Sequence, residues 1–320
     1  MKTRPLKEAV AFYLESRHRL GFALKDEGAL LTNLVEQDRK LQHRGPLTSA
    51  LALSWAQGPP PTHLPRRVRR LNAVRHFALF WAAFDPHTQV PAAGLFGPAY
   101  RRGPVHIYTS EQIAALLAGA QQLPPQETLW PRTLTTLLGL LACTGLRISE
   151  ALHLQPEDWE PTQAVLTIRQ AKYGQSRYVP LAPSATSVLK TYLRARVQAF
   201  PDSHASALFL NERGQPLTYS QAWHAFMALR NQLRWQHWQP RPRLHDLLHT
   251  FAVECLRGWY RQGQKELNAK ILSLAAYLGH RNIRHTYWYL TAVPELIALG
   301  IVRWAKAQAS RKSQKGARHE

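Results

Sequence analysis

Apolar positions recur at helical spacing along most of the chain. Leu6, Val10, Tyr13 and Leu14 form one stripe and Leu30, Leu31, Leu34 and Val35 another, so the N-terminal segment reads as short helices. A Pro-rich break over 58–65 ends one unit, and the segment after it places Leu71, Val74, Phe77, Ala78 and Trp81 on a single face. Pro and Gly then accumulate over 90–104, the mark of a linker. Beyond it, Thr109 with Gln112 matches a capping box opening a helix whose stripe is Ile113, Leu116 and Leu117. Residues 133–154 (TLTTLLGLLACTGLRISEALHL) are apolar nearly all round, which predicts a central helix of the second domain. The period switches to strand-like over 165–170 and 176–181, which flank a turn at Lys172–Gln175 where Gly174 supplies the geometry. Helical spacing dominates the remainder, and the tail 310–320 reads as disordered. The expected fold is mainly α with a small β-sheet, in two domains.

Charge adds a partner to this outline. Lys and Arg number 41 against 20 acids in a chain of 320 residues, a net charge of +21. Basic surface gains affinity for polyanions by releasing counterions from phosphate, so a nucleic acid is the expected partner. The excess is spread over both halves, with 14 Lys/Arg against 7 acids in residues 1–98 and 27 against 13 in 99–320. Such a distribution suits a protein that wraps DNA better than one with a single basic tail. Arg66, Arg67, Arg69, Arg70 and Arg75 crowd one helix start, where a solvated face and phosphate contact explain them equally well. The start MKTRPLKEAVAF lacks a signal peptide's apolar core, and the longest apolar stretch, Leu134 to Leu146, is too short to span a bilayer. With Cys143 and Cys255 set in apolar helical patterns as small buried hydrophobes, these features predict a cytoplasmic protein.

The second half carries the candidate chemistry. Cutting a phosphodiester without a metal needs a nucleophile, fixed cations for the pentacoordinate transition state, and an acid for the leaving oxygen. Arginine suits the cationic role because its planar fork holds two phosphate oxygens and keeps its charge. Arg147 abruptly ends an apolar stretch, where snorkelling or ion pairing would also account for it. Lys172 sits at the hairpin tip, a common place for a solvated lysine. His245 and His249 stand four apart, but the Glu of a metalloprotease HExxH and an acidic third ligand are both missing, which argues against zinc. His280 follows Gly279, which reads as a helix C-cap, and a lone histidine there is more often structural. Tyr277, Tyr287 and Tyr289 compete as nucleophiles, the first two reading as packing, and most of the ten tryptophans fall at core positions.

Five motifs then converge: TGLRISEAL, the hairpin Lys-x-Gly-x-x-Arg-x-Val-Pro-Leu, RLHDLLHTF, the Leu-Gly-His triplet, and Tyr289 nine residues after it. From about residue 106 to 305 the chain resembles the tyrosine recombinases (the phage-integrase superfamily), and HTYWYLTAVPEL looks like the branch found in transposons and integrative elements. The resemblance implies roles. Arg147 would be the first phosphate-binding arginine with Glu150 bracing it, and Lys172 the general acid. His245 would be the catalytic histidine, with His249 buttressing the fold. His280 would hydrogen-bond the scissile phosphate or the tyrosine oxygen, and Tyr289 would form a 3′-phosphotyrosine. No metal, ATP or other cofactor is implied. Arg66, Arg67, Arg69, Arg70, Arg75, Arg101, Arg102, Arg177 and Arg243 are expected to contact DNA.

The implied architecture is a two-domain C-shaped clamp. It comprises a helical, SAM-like core-binding domain over 1–98, a linker over 99–105, a mixed α/β catalytic domain over 106–305 and a basic tail over 306–320. Implied partners are double-stranded DNA, further copies forming a tetramer on paired sites, and other recombinases of the same element. The segment bearing Leu296, Ile297, Ile301, Val302 and Trp304 would pack on a neighbouring subunit. The implied outcome is integration, excision or transposition.

One position departs from the family pattern. Leu248 stands where the family carries a second arginine, in an apolar stripe with Ala252, Cys255 and Trp259. Losing one pre-organised donor to such a transition state costs roughly 3–4 kcal/mol, about 10²–10³ in rate. Arg243, two residues before His245, is a nearby but poorly placed substitute. A DNA-binding member that transfers strands weakly or not at all is therefore a rival reading. A type IB topoisomerase is another, which the small helical N-terminal domain argues against.

Overall fold

A computed structural model describes residues 5–98, 103–169, 176–201, 203, 205–262, 266–280 and 282–302. Lys172, Arg101, Arg102, Trp304 and the tail lie outside them. The chain divides into two units, Met1–Gly103 and Pro104–Glu320.

The first unit is built from α1 (Leu6–Arg19), α2 (Lys25–Lys40), α3 (Ser49–Gln57) and α4 (Leu64–Trp81). Its apolar stripes close on one core that includes Tyr13, Leu31, Leu34, Trp55, Leu71 and Phe77. Arg70 is a correction to the expected DNA-contacting set. It is 6% exposed, lies 4.6 Å over the Trp55 ring, and donates through Nη2 to Asn33 Oδ1 at 2.8 Å. A charge this deep is held by cation–π and hydrogen-bond partners, so Arg70 locks α2, α3 and α4 together. Arg66 and Arg69 remain exposed, while Arg67 and Arg75 are half-buried.

The second unit begins with α5 (Ser110–Gln121), capped reciprocally by Thr109 and Gln112 as the sequence predicts. The long apolar segment is two helices rather than one. α6 (Trp130–Thr144) stops at Gly145, whose φ of +62° is left-handed, and α7 (Ile148–Leu152) restarts after Arg147. The Phe251 ring lies where a side chain on residue 145 would begin, so glycine serves both the backbone turn and this close approach. Cys143 is exposed rather than buried, a second correction. It faces out because α6 turns its opposite side, with Leu137 and Leu141, into the core.

A three-stranded antiparallel sheet follows, in the order β1 (Trp159–Glu160), β2 (Val165–Ile168), β3 (Arg177–Pro180). The expected hairpin is β2–β3, with Ile168 opposite Arg177 and Val165 opposite Pro180. Its first strand is joined by the two-residue β1, too short to show in the pattern. Helices α8 (Pro183–Ala199), α9 (Tyr219–Gln232), α10 (Asp246–Arg261), α11 (Leu267–Tyr277) and α12 (Arg284–Ala292) complete the unit, and residues 294–302 are also helical. Among the described residues, no helix is long and apolar enough to cross a membrane.

Candidate active site

Three features of local sequence place the candidate groups. The break at Gly145 puts Arg147 in extended backbone just before α7. There Glu150 Oε2 accepts from the Arg147 amide at 3.0 Å, and Oε1 accepts from its Nη1 at 2.9 Å. His245 precedes α10, so His249 lies one turn further on the same side. Finally, α11 ends in a Schellman turn: the amide of Gly279 (φ +65°) donates to Ala276 O and that of His280 to Ala275 O, which sets where His280 leaves the helix.

Glu150 is the electrostatic centre of one cluster. Arg177 donates to both of its oxygens, at 3.0 and 2.8 Å, so a single carboxylate fixes two guanidinium groups. Burial pushes the Glu150 carboxyl up, but hydrogen bonds from Arg177 and the Arg147 amide, with both arginine charges, outweigh it and hold it below its ordinary value. The arrangement revises the expectation for Arg177. With its side chain 13% exposed and its fork engaged by Glu150, Arg177 braces the site rather than standing open to DNA. A side chain on Gly279 would begin 3.5 Å from Arg147 Nη1 and 3.6 Å from Arg177 Nη1, so this glycine lets the turn before His280 approach the arginines.

A second cluster surrounds the tyrosine. Tyr289 is 1% exposed, and its hydroxyl lies 2.9 Å from His249 Nδ1. The His249 ring is met edge-on by His245 at 4.7 Å between centroids, with Trp288 at 5.7 Å. Leu248 is 3% exposed and belongs to the same apolar cluster as Tyr289, Ala252, Leu256, Val293 and Leu296. His280 Nδ1 is 2.8 Å from Thr286 Oγ1, a fully buried hydroxyl, which orients the imidazole.

His245 joins the two clusters electrically. Desolvation depresses its pKa most; Asp246 opposes the shift, and the charges of Arg147 and Arg243 add to it. Arg243 is drawn to Asp246, donating from its amide and from Nη2, each at 2.9 Å. That fork pins Arg243 to the start of α10 and limits it as a stand-in for a second arginine, although half of its side chain stays exposed.

These shifts predict how stability varies with pH. A histidine whose folded pKa is depressed stabilises the fold while neutral, so the contribution is complete above the ordinary value of 6.5 and is lost as pH falls below it. Glu150 acts in the same direction at lower pH, its contribution draining below its ordinary value of 4.5. The thermal midpoint is expected to drop between about pH 7 and 5, and His245→Gln to flatten that limb while leaving the more acidic one. An unchanged limb in His245→Gln would remove His245 from the account.

Other sequence expectations divide. Tyr277 packs as expected, its ring stacked on Phe251 and its hydroxyl donating to Thr144 O at 2.9 Å. Tyr287 does not: it is 39% exposed, because α12 turns Tyr289 inward and Tyr287 outward. Leu296, expected on a subunit-packing face, is 1% exposed in its own cluster, whereas Ile297, Ile301 and Val302 are 45%, 61% and 52% exposed. Thr286 and Asp246 were not singled out from sequence. For Asp246 a signal existed, since Arg243 and Asp246 stand at the i, i+3 spacing of a helix-start pair.

Helical unit, three-stranded sheet and a buried tyrosine beside paired histidines and arginines define a class, and the comparisons agree with it. Residues 107–295 match the phage integrase family. A putative integrase/recombinase, y4rB, of Sinorhizobium fredii is 38% identical over 91% of this chain and 94% of its own length. A second from that organism, y4rE, is 31% identical over 94% of this chain and 96% of its own. The fold is similar to that of the Tn1549 transposon integrase in complex with transposon right-end DNA, with a TM-score of 0.66 and 19% identity over 89% of this chain and 94% of that one. The protein belongs to the phage integrase family of tyrosine recombinases, enzymes of site-specific DNA recombination.

Proposed function

We propose that this protein binds double-stranded DNA at a specific site and that Tyr289 attacks the scissile phosphate, forming a 3′-phosphotyrosine and freeing a 5′-hydroxyl. Arg147, held by Glu150, receives the phosphate oxygens. His245 and His280 supply further hydrogen bonds, and Lys172 protonates the leaving oxygen. Bond energy kept in the phosphotyrosine is returned when a partner 5′-hydroxyl attacks it, which gives integration, excision or transposition. The observation that carries this reading is the close set of Tyr289, His249 and His245, with Arg147 near enough for its charge to act on His245.

DNA grips both units in this reading. Arg66, Arg69 and Arg70, with His63 and Asp26, line a recess of about 630 Å³ at the start of α4, where the helix dipole and the arginines outweigh the one carboxylate. Exposed Ile297, Ile301 and Val302 would dock on a neighbouring copy, consistent with a tetramer on paired sites.

A second reading has its own support. Leu248 packs in an apolar cluster where the family carries a guanidinium, which favours a weak or inactive member that binds DNA alongside active recombinases of the same element. Selection of bound duplexes from a random pool would supply the site, and a nicked suicide duplex of that sequence traps any covalent complex. Selective binding with weak or undetectable trapping is expected. Robust trapping by the unaltered protein would discard the claim about Leu248, and unselective binding would discard the recombinase reading.

A further inference from the structure

We propose that His249, beyond buttressing the fold, is the proton acceptor for Tyr289, a catalytic residue in contact with the reacting oxygen; this rests on the recombinase reading above. A phenol attacks phosphorus only as it sheds its proton, and Tyr289 sits 1% exposed beside Leu248, Val293 and Leu296, where a free phenolate is costly. His249 Nδ1 lies 2.9 Å from that hydroxyl, within the reach required of a general base. Neutral imidazole carries an unprotonated ring nitrogen that can accept such a proton. Its ring is also held in place, edge-on to His245 at 4.7 Å and 5.5 Å from the Tyr289 ring between centroids.

The step balances. His249 enters neutral with its proton on Nε2, and the Tyr289 O–H proton moves to Nδ1. The tyrosine oxygen bonds to phosphorus, the bond from phosphorus to the 5′-oxygen breaks, and that oxygen takes a proton from the general acid. On rejoining, the 5′-hydroxyl returns its proton to the deprotonated general acid as its oxygen bonds to phosphorus, and the displaced tyrosine oxygen recovers its proton from His249. The imidazolium formed in between is a cation one residue from Leu248. It supplies positive charge where the chain lacks the family's second guanidinium, so the histidine matters more in this protein than beside an arginine.

Two measurements test the proposal on the full chain. Nitrogen-15 NMR of histidine-labelled protein, with the His249 signals assigned by their loss in His249→Gln, reads which nitrogen carries the proton. A proton on Nε2 is expected, and one on Nδ1 would overturn the proposal whether or not the chain cleaves DNA. The second compares His249→Asn with its parent in the unaltered and Leu248→Arg backgrounds, since the Asn carbonyl can accept the tyrosine hydrogen bond but cannot take the proton. Unchanged DNA binding and a modestly lowered thermal midpoint are expected, with covalent trapping slowed by about two orders of magnitude or more. Trapping within a few-fold of the parent overturns the proposal alone. Absence of trapping in every background overturns it together with the recombinase reading.

Discussion

Tyr289→Phe, made in the Leu248→Arg protein where trapping is expected to be measurable, should abolish the covalent protein–DNA complex completely while leaving sequence-selective binding in place. The ring fills the same space in the cluster of Ala252 and Val293, so packing is conserved and only the hydroxyl is lost. Removing it breaks the 2.9 Å contact with His249 Nδ1, and the loss of one such hydrogen bond costs about 0.5–1.5 kcal/mol. The variant should therefore fold with a modestly lowered thermal midpoint. Denaturing gels read the covalent complex and mobility shifts read binding. Tyr287→Phe, which removes the exposed hydroxyl on the opposite side of α12, is the control expected to leave trapping unchanged. Persistent trapping in Tyr289→Phe would assign the nucleophile elsewhere.

Leu248→Arg is expected to raise cleavage by about 10²–10³, the worth of a pre-organised donor to the transition state. Position 248 follows His245 by three residues, close to one helical turn further along α10. The free protein should be less stable, because a guanidinium would replace an apolar side chain only 3% exposed within an apolar cluster. Gain in rate with loss of midpoint is the distinctive signature. Leu248→Met, which conserves volume without charge, should change neither greatly. A Leu248→Arg protein that folds and binds DNA but cleaves no faster would show that this position does not limit the reaction.

What could be read from sequence was whatever chemistry is local. The Thr109–Gln112 cap, the β2–β3 hairpin and the buried stripe of α4 each depend on residues within a turn or two. The break at Gly145 was invisible because an apolar run looks the same whether one helix or two carry it, and the ring that enforces the break, Phe251, lies far along the chain. Arg177 reads from sequence as open to DNA because its partner Glu150, 27 residues away, shows in no local spacing. Arg70 is a similar case: a basic run at a helix start suggests solvent, and only the fold brings Asn33 and the Trp55 ring to it.

The tyrosines show the same limit. Family spacing selects Tyr289 over Tyr287, yet composition and periodicity treat them alike. Folding separates them, with Tyr289 buried against His249 and Tyr287 left in solvent. Exposure alone would favour Tyr287. His249, an apparent buttress in the motif, gains its contact with the hydroxyl only because α12 packs against α10.

The central claim is that Tyr289 is the residue that bonds to DNA, and mapping the adduct tests it most directly. The Leu248→Arg protein, trapped on a nicked duplex of its selected site and digested with nuclease and protease, is analysed by mass spectrometry for a nucleotide-bearing peptide. The account predicts a 3′-nucleotide on Tyr289 alone. A nucleotide on Tyr287 or any other side chain, or selective binding with no adduct at all, would contradict it.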